Sequence, residues 1–218
     1  MQHVFKFLKK IKLHNNRDWF EANKSEYLKA KEEYEVFIDK LILGLRKFDK
    51  KIDPSLTGKQ CAFRIYKDVR FSKDKTPYKS NMGASINPGG KKSPIAGYYF
   101  HAEPCKSFIA GGVWMPEPEV LNKIRQEIDY NSKPLLKIIS APKFKKYFGD
   151  FIEDGKLKTA PKGYEKDHEL IEILKNRNFI VLHYFSDKEI LGSNSQKLVL
   201  DGIKQMHPLM EFLRTAQN

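Results

Sequence analysis

The apolar residues in the first 50 positions recur every three, four or seven residues, the spacing of one face of an α-helix. The first group predicts a short opening helix and consists of Val4, Phe5, Leu8 and Ile11. The second group predicts a long helix that begins after a capping Asn15 or Asn16 and runs to about residue 48. Its stripe is formed by Tyr27, Tyr34, Ile38, Leu41, Leu45 and Phe48.

A strand with one ionisable face is predicted for residues 61–71, CAFRIYKDVRF. Side chains on a strand alternate between its two faces, so Arg64 and Arg70 are expected on one face, roughly 20 Å apart at ~3.3 Å per residue. A turn follows, because Pro77 has a fixed φ and cannot continue a hydrogen-bond ladder. We expect the rest of the chain to be organised around this strand and turn.

Further strands are predicted downstream. Residues 97–103 and 108–114 predict an antiparallel hairpin. The pair Gly111-Gly112 inside its second strand indicates a bulge or the close approach of another backbone segment. Residues 179–185 form the most apolar predicted strand of the chain.

The remaining helices are predicted from shorter periodic segments. They are a helix from about residue 117, pieces at 135–139 and 144–148, a helix capped by Asp167 and ending near 174, and a last helix that begins at Ser193 or Asn194 and kinks at Pro208. No internal repeat or linker interrupts the series. The sequence therefore predicts one α+β domain over residues 1–218, with a mostly antiparallel sheet packed by helices.

Composition narrows the class of protein. The 218 residues carry a net charge of +13, and 40% of them are hydrophobic, which suits a folded protein with acidic partners. Cys61 and Cys105 belong to no zinc or CxxC pattern, which favours a reduced, intracellular setting. No apolar run reaches the ~20 residues of a membrane helix, and lysines interrupt the N-terminal apolar residues. A cytoplasmic protein is expected.

The strongest chemical signal lies in the basic segment at residues 64–79. Arginine binds oxyanions with two parallel hydrogen bonds, and lysine adds a compact charge. The predicted ligand-binding residues are Arg64, Arg70, Lys73, Lys75, Tyr78 and Lys79. If the site is catalytic, the candidates for proton transfer are Asp68, Asp74, Tyr66 and His101. The alternative is structural, with ion pairs Arg64–Asp68 and Arg70–Asp74 that hold the turn.

A weaker constellation consists of His101, Glu103 and His183. Two imidazoles and a carboxylate are a known ligand set for zinc or iron, and all three residues lie on predicted strands. However, His183 is far from the other two in sequence, and strand histidines usually form ordinary hydrogen bonds. The sequence therefore predicts no metal site, and it identifies no cofactor.

The chain resembles a family without established activity, the domain-of-unknown-function family numbered twenty-four sixty-one. The resemblance rests on residues 15–20 (NNRDWF), 63–66 (FRIY), 68–79 (DVRFSKDKTPYK), 97–99 (GYY), 111–112 (GG) with Trp114, 124–125 (IR) and 161–164 (PKGY). These segments follow one another along nearly the whole chain. Lys67 departs from the pattern, since the resemblance implies arginine there. Lysine keeps the positive charge but lacks the planar guanidinium group that donates two parallel hydrogen bonds.

Three functions remain open on this basis. The first is a binding site, with or without catalysis, for a phosphate-bearing or other anionic small molecule on residues 64–79. The second is a non-catalytic nucleic-acid binder, which the net charge of +13 favours. The third is an interaction module in which the arginines and aspartates form a structural network. The concentration of basic residues in one short segment favours the first. The oligomeric state is not predicted.

Overall fold

The computed structural model describes residues 1–217 of the chain, which contain ten helices and one four-stranded sheet. The helices are α1 (Gln2–Leu13), α2 (Arg17–Ala22), α3 (Lys24–Leu45), α4 (Gly58–Cys61), α5 (Pro118–Tyr130), α6 (Ser132–Ile139), α7 (Pro142–Phe148), α8 (Ile171–Leu174), α9 (Asp187–Leu191) and α10 (Ser195–Gln217). The strands are β1 (Met82–Ile86), β2 (Gly97–Ala102), β3 (Ser107–Val113) and β4 (Phe179–Phe185). The predicted α+β class is confirmed. Within the described residues, no helix is long and apolar enough to cross a membrane.

The sheet is an antiparallel meander in the order β1-β2-β3-β4. The predicted hairpin corresponds to β2 and β3, and the predicted strand at residues 179–185 is β4. One face of the sheet packs against helices: the Tyr34 hydroxyl of α3 donates to the Phe100 carbonyl at 3.0 Å, and a side chain added at Gly111 would overlap Met206 of α10. This face forms the core together with α1, α3 and α10.

The strand register places a second set of side chains on the opposite face, here called the open face. Tyr99 lies opposite Ala110, and Phe108 lies between His101 and Tyr184 on its two neighbouring strands. Because directly opposite residues point to the same side of a sheet, these side chains share one surface. The open face is therefore rich in aromatic rings.

The long N-terminal helix of the prediction is divided in two. Asn16 caps α2 as expected, because its side chain accepts a hydrogen bond from the Trp19 amide at 2.9 Å. At Asn23 the backbone leaves helical geometry, and the Asn23 side chain donates to the Trp19 carbonyl at 2.8 Å. Asparagine competes in this way with the backbone bonds of a helix. The 22 residues of α3 begin directly afterwards.

The predicted strand at residues 61–71 is wrong. Residues 58–61 form α4, whose capping box pairs Thr57 with Gln60, and the following segment makes only isolated bridges. The alternating pattern does not mark a buried face, since Phe63 is 42% exposed and Phe71 is 96% exposed. Only Ile65 is buried among the apolar residues from 63 to 71.

Two smaller differences concern the C-terminal half. The helix expected from Asp167 is only the four-residue α8, while α9 was missed although Ser186 and Glu189 form a capping box. Pro208 lies inside α10, where the sequence predicted a kinked helix.

Candidate functional site

The basic segment folds back on itself as a two-armed loop, residues 65–79, here called the basic loop. The Lys79 amide donates to the Ile65 carbonyl at 2.8 Å, and the Lys67 amide donates to the Pro77 carbonyl at 2.9 Å. Tyr66 and Tyr78 form an isolated antiparallel bridge between these two pairs. Backbone hydrogen bonds therefore fix the base of the loop, while its tip extends from Asp68 to Thr76.

Asn15 attaches the basic loop to the junction of α1 and α2. Its amide group donates to the Tyr78 carbonyl at 2.9 Å, and its carbonyl accepts from the Tyr78 amide at 3.1 Å. The Tyr78 ring is buried and stacks on Phe20 of α2, with ring centres 4.1 Å apart. Two segments that carry the family resemblance, residues 15–20 and 68–79, thus meet in space.

We expect the substitution Asn15→Ala to loosen this attachment, because it leaves both backbone groups of Tyr78 without their partners. The expected loss is about 1–3 kcal/mol of unfolding free energy, measured by urea denaturation. Asn122→Ala is the control, since Asn122 is exposed inside α5 and its side chain has no hydrogen bond within the part of the chain that the structure describes. Equal unfolding free energies of the two variants would contradict the anchoring role.

A cleft runs between α2 and the basic loop, here called the α2 cleft. Its inner part has a volume of about 350 Å³ and contacts both tyrosines of the bridge, Tyr66 and Tyr78. Its outer part is a shallow continuation between the start of α2 and the loop tip. The two parts share Arg17, Val69 and Pro77 in their walls.

The charges around the α2 cleft are unbalanced. Two of its acidic groups are already paired, since Glu21 contacts Lys24 at 3.0 Å and Asp74 contacts Lys67 at 2.7 Å. Three basic residues of the cleft, Arg17, Lys73 and Lys75, have no carboxylate partner among residues 1–217. The Lys75 ammonium donates to the Val69 carbonyl, at 3.0 Å. Three positive charges from two separate segments thus remain uncompensated.

The predicted ligand-binding residues fall into three groups. Lys73, Lys75 and Tyr78 line the α2 cleft. Arg64 and Lys79 lie at the base of the loop, where the Lys79 ammonium donates to the Arg64 carbonyl at 3.1 Å.

Arg70 forms the third group and lines neither part of the cleft. Its Nε and Nη2 atoms both donate to the Asp68 carboxylate, at 2.9 and 2.7 Å. Arg17 of α2 was not among the predicted site residues, although its position beside the loop makes it part of the cleft.

The two aspartates of the loop pair differently from the structural alternative. Asp68 binds Arg70 and Asp74 binds Lys67, so the expected pairs Arg64–Asp68 and Arg70–Asp74 are not formed. Hydrogen bonds from Arg70 lower the pKa of Asp68, and hydrogen bonds from Lys67 lower the pKa of Asp74. Both carboxylates are therefore ionised at neutral pH and serve as acceptors within the loop.

The three candidate metal ligands are not brought together. His101 and Glu103 share the open face, where His101 Nε2 lies 3.0 Å from Glu103 Oε2. Burial lowers the pKa of His101 more than Glu103 raises it. His183 is paired with Ile109, so it points to the other face, where its ring stacks on Tyr147 at 3.8 Å and its Nδ1 lies 2.8 Å from the Tyr147 carbonyl.

A buried polar cluster that the sequence did not indicate joins the end of α3 to α10. The Tyr98 hydroxyl lies 2.9 Å from Asp49 Oδ2 and 2.8 Å from His207 Nδ1, and Arg214 Nη1 lies 2.8 Å from the same Asp49 oxygen. Asp49, His207 and Glu211 place ligand atoms within 4.8 Å of one another, a spacing that suits a metal ion. Arg214, however, already supplies the positive charge that Asp49 requires, which favours a structural ion network.

The fold and the cleft together define an α+β protein with a basic cleft built on one helix and one loop. The model of the family described as Conserved hypothetical protein (DUF2461) matches residues 3–212, and the chain belongs to this family. Comparisons with curated proteins and with solved structures found no match. The predicted resemblance is confirmed.

Proposed function

We propose that the protein binds a small anionic molecule, with its phosphate or carboxylate group in the α2 cleft. The observation that carries the proposal is the convergence of Arg17, Lys73 and Lys75 on one cleft without a neutralising carboxylate. Arginine and lysine in this arrangement supply a planar pair of donors and two compact charges, which suits an oxyanion. The tyrosines of the inner cleft offer an apolar wall for the rest of the ligand.

The proposal concerns binding and names no reaction. Asp68 and Asp74 are held as ionised acceptors by Arg70 and Lys67, so neither is available to donate a proton. His101 lies on the open face of the sheet and is not among the residues that line the cleft. The role of the basic loop is therefore to present charge, and Lys67 keeps its tip folded by bonding to both Asp74 and Thr76.

The experiment is a thermal-shift screen followed by calorimetric titration. Inorganic phosphate, pyrophosphate, nucleotides and sugar phosphates are the probes, because an anion that binds only the folded state raises its melting temperature. We expect a positive shift with at least one of them. Arg17→Ala is expected to weaken that binding about 10- to 100-fold, since hydrogen bonds to charged groups contribute about 1.5–3 kcal/mol.

Arg70→Ala is the matched control. It removes an arginine of the same loop that bonds to Asp68 and lies outside the cleft, so binding should match that of the unmodified protein. If Arg70→Ala abolishes the shift and Arg17→Ala preserves it, the ligand lies on the outer side of the loop. In that case, or if no anion shifts the melting temperature, the cleft proposal is wrong.

A further inference from the structure

A row of aromatic rings crosses the open face from one edge of the sheet to the other. Neighbouring ring centres are 6.4 Å apart between Phe63 and Tyr99, 5.8 Å between Tyr99 and Phe108, and 5.6 Å between Phe108 and Tyr184. The His101 ring stacks against Phe108 at 4.5 Å and fills the space beside the row. We call Phe63, Tyr99, Phe108 and Tyr184 the aromatic row.

The row presents ring surface to solvent at both ends. Tyr184 is 60% exposed and Phe63 is 42% exposed, while Tyr99 and Phe108 between them are half-buried. The strand register holds the inner rings in place, and the helices α3 and α10 pack on the other face. The row is therefore a rigid surface and not a set of independent side chains.

Basic residues gather at the Phe63 end of the row. The ammonium groups of Lys79 and Lys91 lie 5.8 and 5.9 Å from the centre of the Phe63 ring. Neither lysine, nor the adjacent Arg64, forms an ion pair with a carboxylate in the described residues. Burial first, and then the charge of Arg64, hold the pKa of Lys79 below its usual value. Arg64, Lys79 and Lys91 thus form a group of positive charges that no carboxylate of the described residues neutralises.

The carboxylate of Glu103 also lies beside the row, next to His101. It accepts a hydrogen bond from His101 and belongs to the residue directly after β2. The positive charges of Lys79 and Lys91 thus lie at the β1 edge of the sheet, and the aromatic rings extend from there towards β4.

We propose that the open face binds single-stranded nucleic acid. Unpaired bases stack on aromatic side chains in a sequence-tolerant manner, and a four-stranded antiparallel sheet with exposed rings is one known platform for such stacking. Positive charge for the phosphate backbone is supplied at one end of the row by Arg64, Lys79 and Lys91. The net charge of +13 also favours association with a polyanion. A double helix does not fit this description, because its bases are already stacked on each other.

The proposal is tested on the full chain by fluorescence anisotropy with labelled 12-nucleotide oligo-dT and oligo-U at low salt. The double variant Phe63→Ala/Tyr184→Ala removes the two exposed rings of the row. Stacking contributes about 1–3 kcal/mol per base, so we expect affinity to fall at least fivefold for each ring removed. Tyr130→Ala is the matched control, because it removes a tyrosine of α5 that is 78% exposed and lies off the sheet, and it should bind as the unmodified protein does.

A second pair of variants tests the charges. Lys91→Gln should lower the slope of log affinity against log salt by about one, because one phosphate contact is lost. Lys133→Gln makes the same change in net charge on α6 and should leave the slope unchanged. Circular dichroism of each variant shows whether it is folded, which separates loss of binding from loss of structure.

Several results would overturn the proposal. They are an absence of binding at low salt, equal affinity for a duplex of the same length, and equal affinity of Phe63→Ala/Tyr184→Ala and Tyr130→Ala. The anion site in the α2 cleft uses different residues, so we expect Arg17→Ala to leave oligonucleotide binding unchanged. If Arg17→Ala alone loses oligonucleotide binding, the nucleic acid binds in the cleft, and the proposal of binding on the open face is wrong.

Discussion

Asp49→Ala is expected to destabilise the protein by about 3–5 kcal/mol, because it leaves a buried arginine without its counter-charge. Asp49 is 1% exposed and Arg214 is 2% exposed. The Arg214 Nε atom donates to the Ala96 carbonyl at 2.8 Å, but its two terminal nitrogens have no well-aligned hydrogen bond in residues 1–217. Asp49, at 2.8 Å from Nη1, is thus the nearest compensation, and the exposed Glu211 lies further away at 3.9 Å.

The same substitution also removes the carboxylate that accepts a hydrogen bond from the Tyr98 hydroxyl. Burial, first among the causes, raises the pKa of Tyr98 strongly, so the hydroxyl stays protonated and needs an acceptor inside the protein. Thermal unfolding followed by circular dichroism measures the effect. A loss of this size should lower the melting temperature on the order of 10 °C for a chain of this length.

Asp68→Ala is the control for Asp49→Ala. It breaks the Asp68–Arg70 pair, which is exposed to solvent and spans only two residues, so no measurable change in melting temperature is expected. The double variant Asp49→Ala/Arg214→Met should be more stable than Asp49→Ala, because the uncompensated charge is gone. If Asp49→Ala melts within the error of the unmodified protein, the cluster does not stabilise the fold.

The parts of the fold that the sequence predicted are those whose pattern arises from local geometry. The apolar stripes of α1 and α3 and the alternation in β2 follow directly from helix and strand periods, since each buries one side against the core. The run at residues 179–185 is β4 without any shift of its limits. In these elements local preference and tertiary packing agree.

The basic loop could not be predicted in this way. Its alternation of apolar and ionisable residues has the period of a strand, but the hydrogen bonds of Ile65 and Lys67 go to residues of the loop itself. The loop is held in place by Asn15, which contacts Tyr78 across 63 positions of sequence. No local pattern contains such a contact. The α2 cleft depends on it, and for the same reason Arg17 was not predicted to be part of the site.

The buried cluster is the other feature without a local signal. Asp49 and Arg214 are 165 positions apart in the sequence, and each alone resembles an ordinary surface charge. Their burial is decided by the packing of α10 against the sheet. The pair Gly111-Gly112, by contrast, did carry a signal, because glycine inside a strand indicates a close backbone approach.

Gly112→Ala is expected to destabilise the protein by about 2–6 kcal/mol, through backbone strain and through a clash with the neighbouring strand. Gly112 has a φ of +137°, which residues with a side chain rarely adopt. A Cβ atom there would overlap the carbonyl oxygen of Phe179 and would lie 3.1 Å from the Cα of Ile180. Both are backbone atoms of β4, so relief requires moving a strand that β3 binds along its whole length.

Gly90→Ala separates the two contributions. Gly90 also has a positive φ, of +89°, but a Cβ atom there would meet no heavy atom within 4 Å, so this variant should lose only the strain of about 1–3 kcal/mol. Urea denaturation of both variants gives the difference, which we assign to the contact between β3 and β4. Equal losses of unfolding free energy in the two variants would show that β4 can shift without a measurable loss of stability. The close approach at Gly112 would then have no role in holding the sheet together.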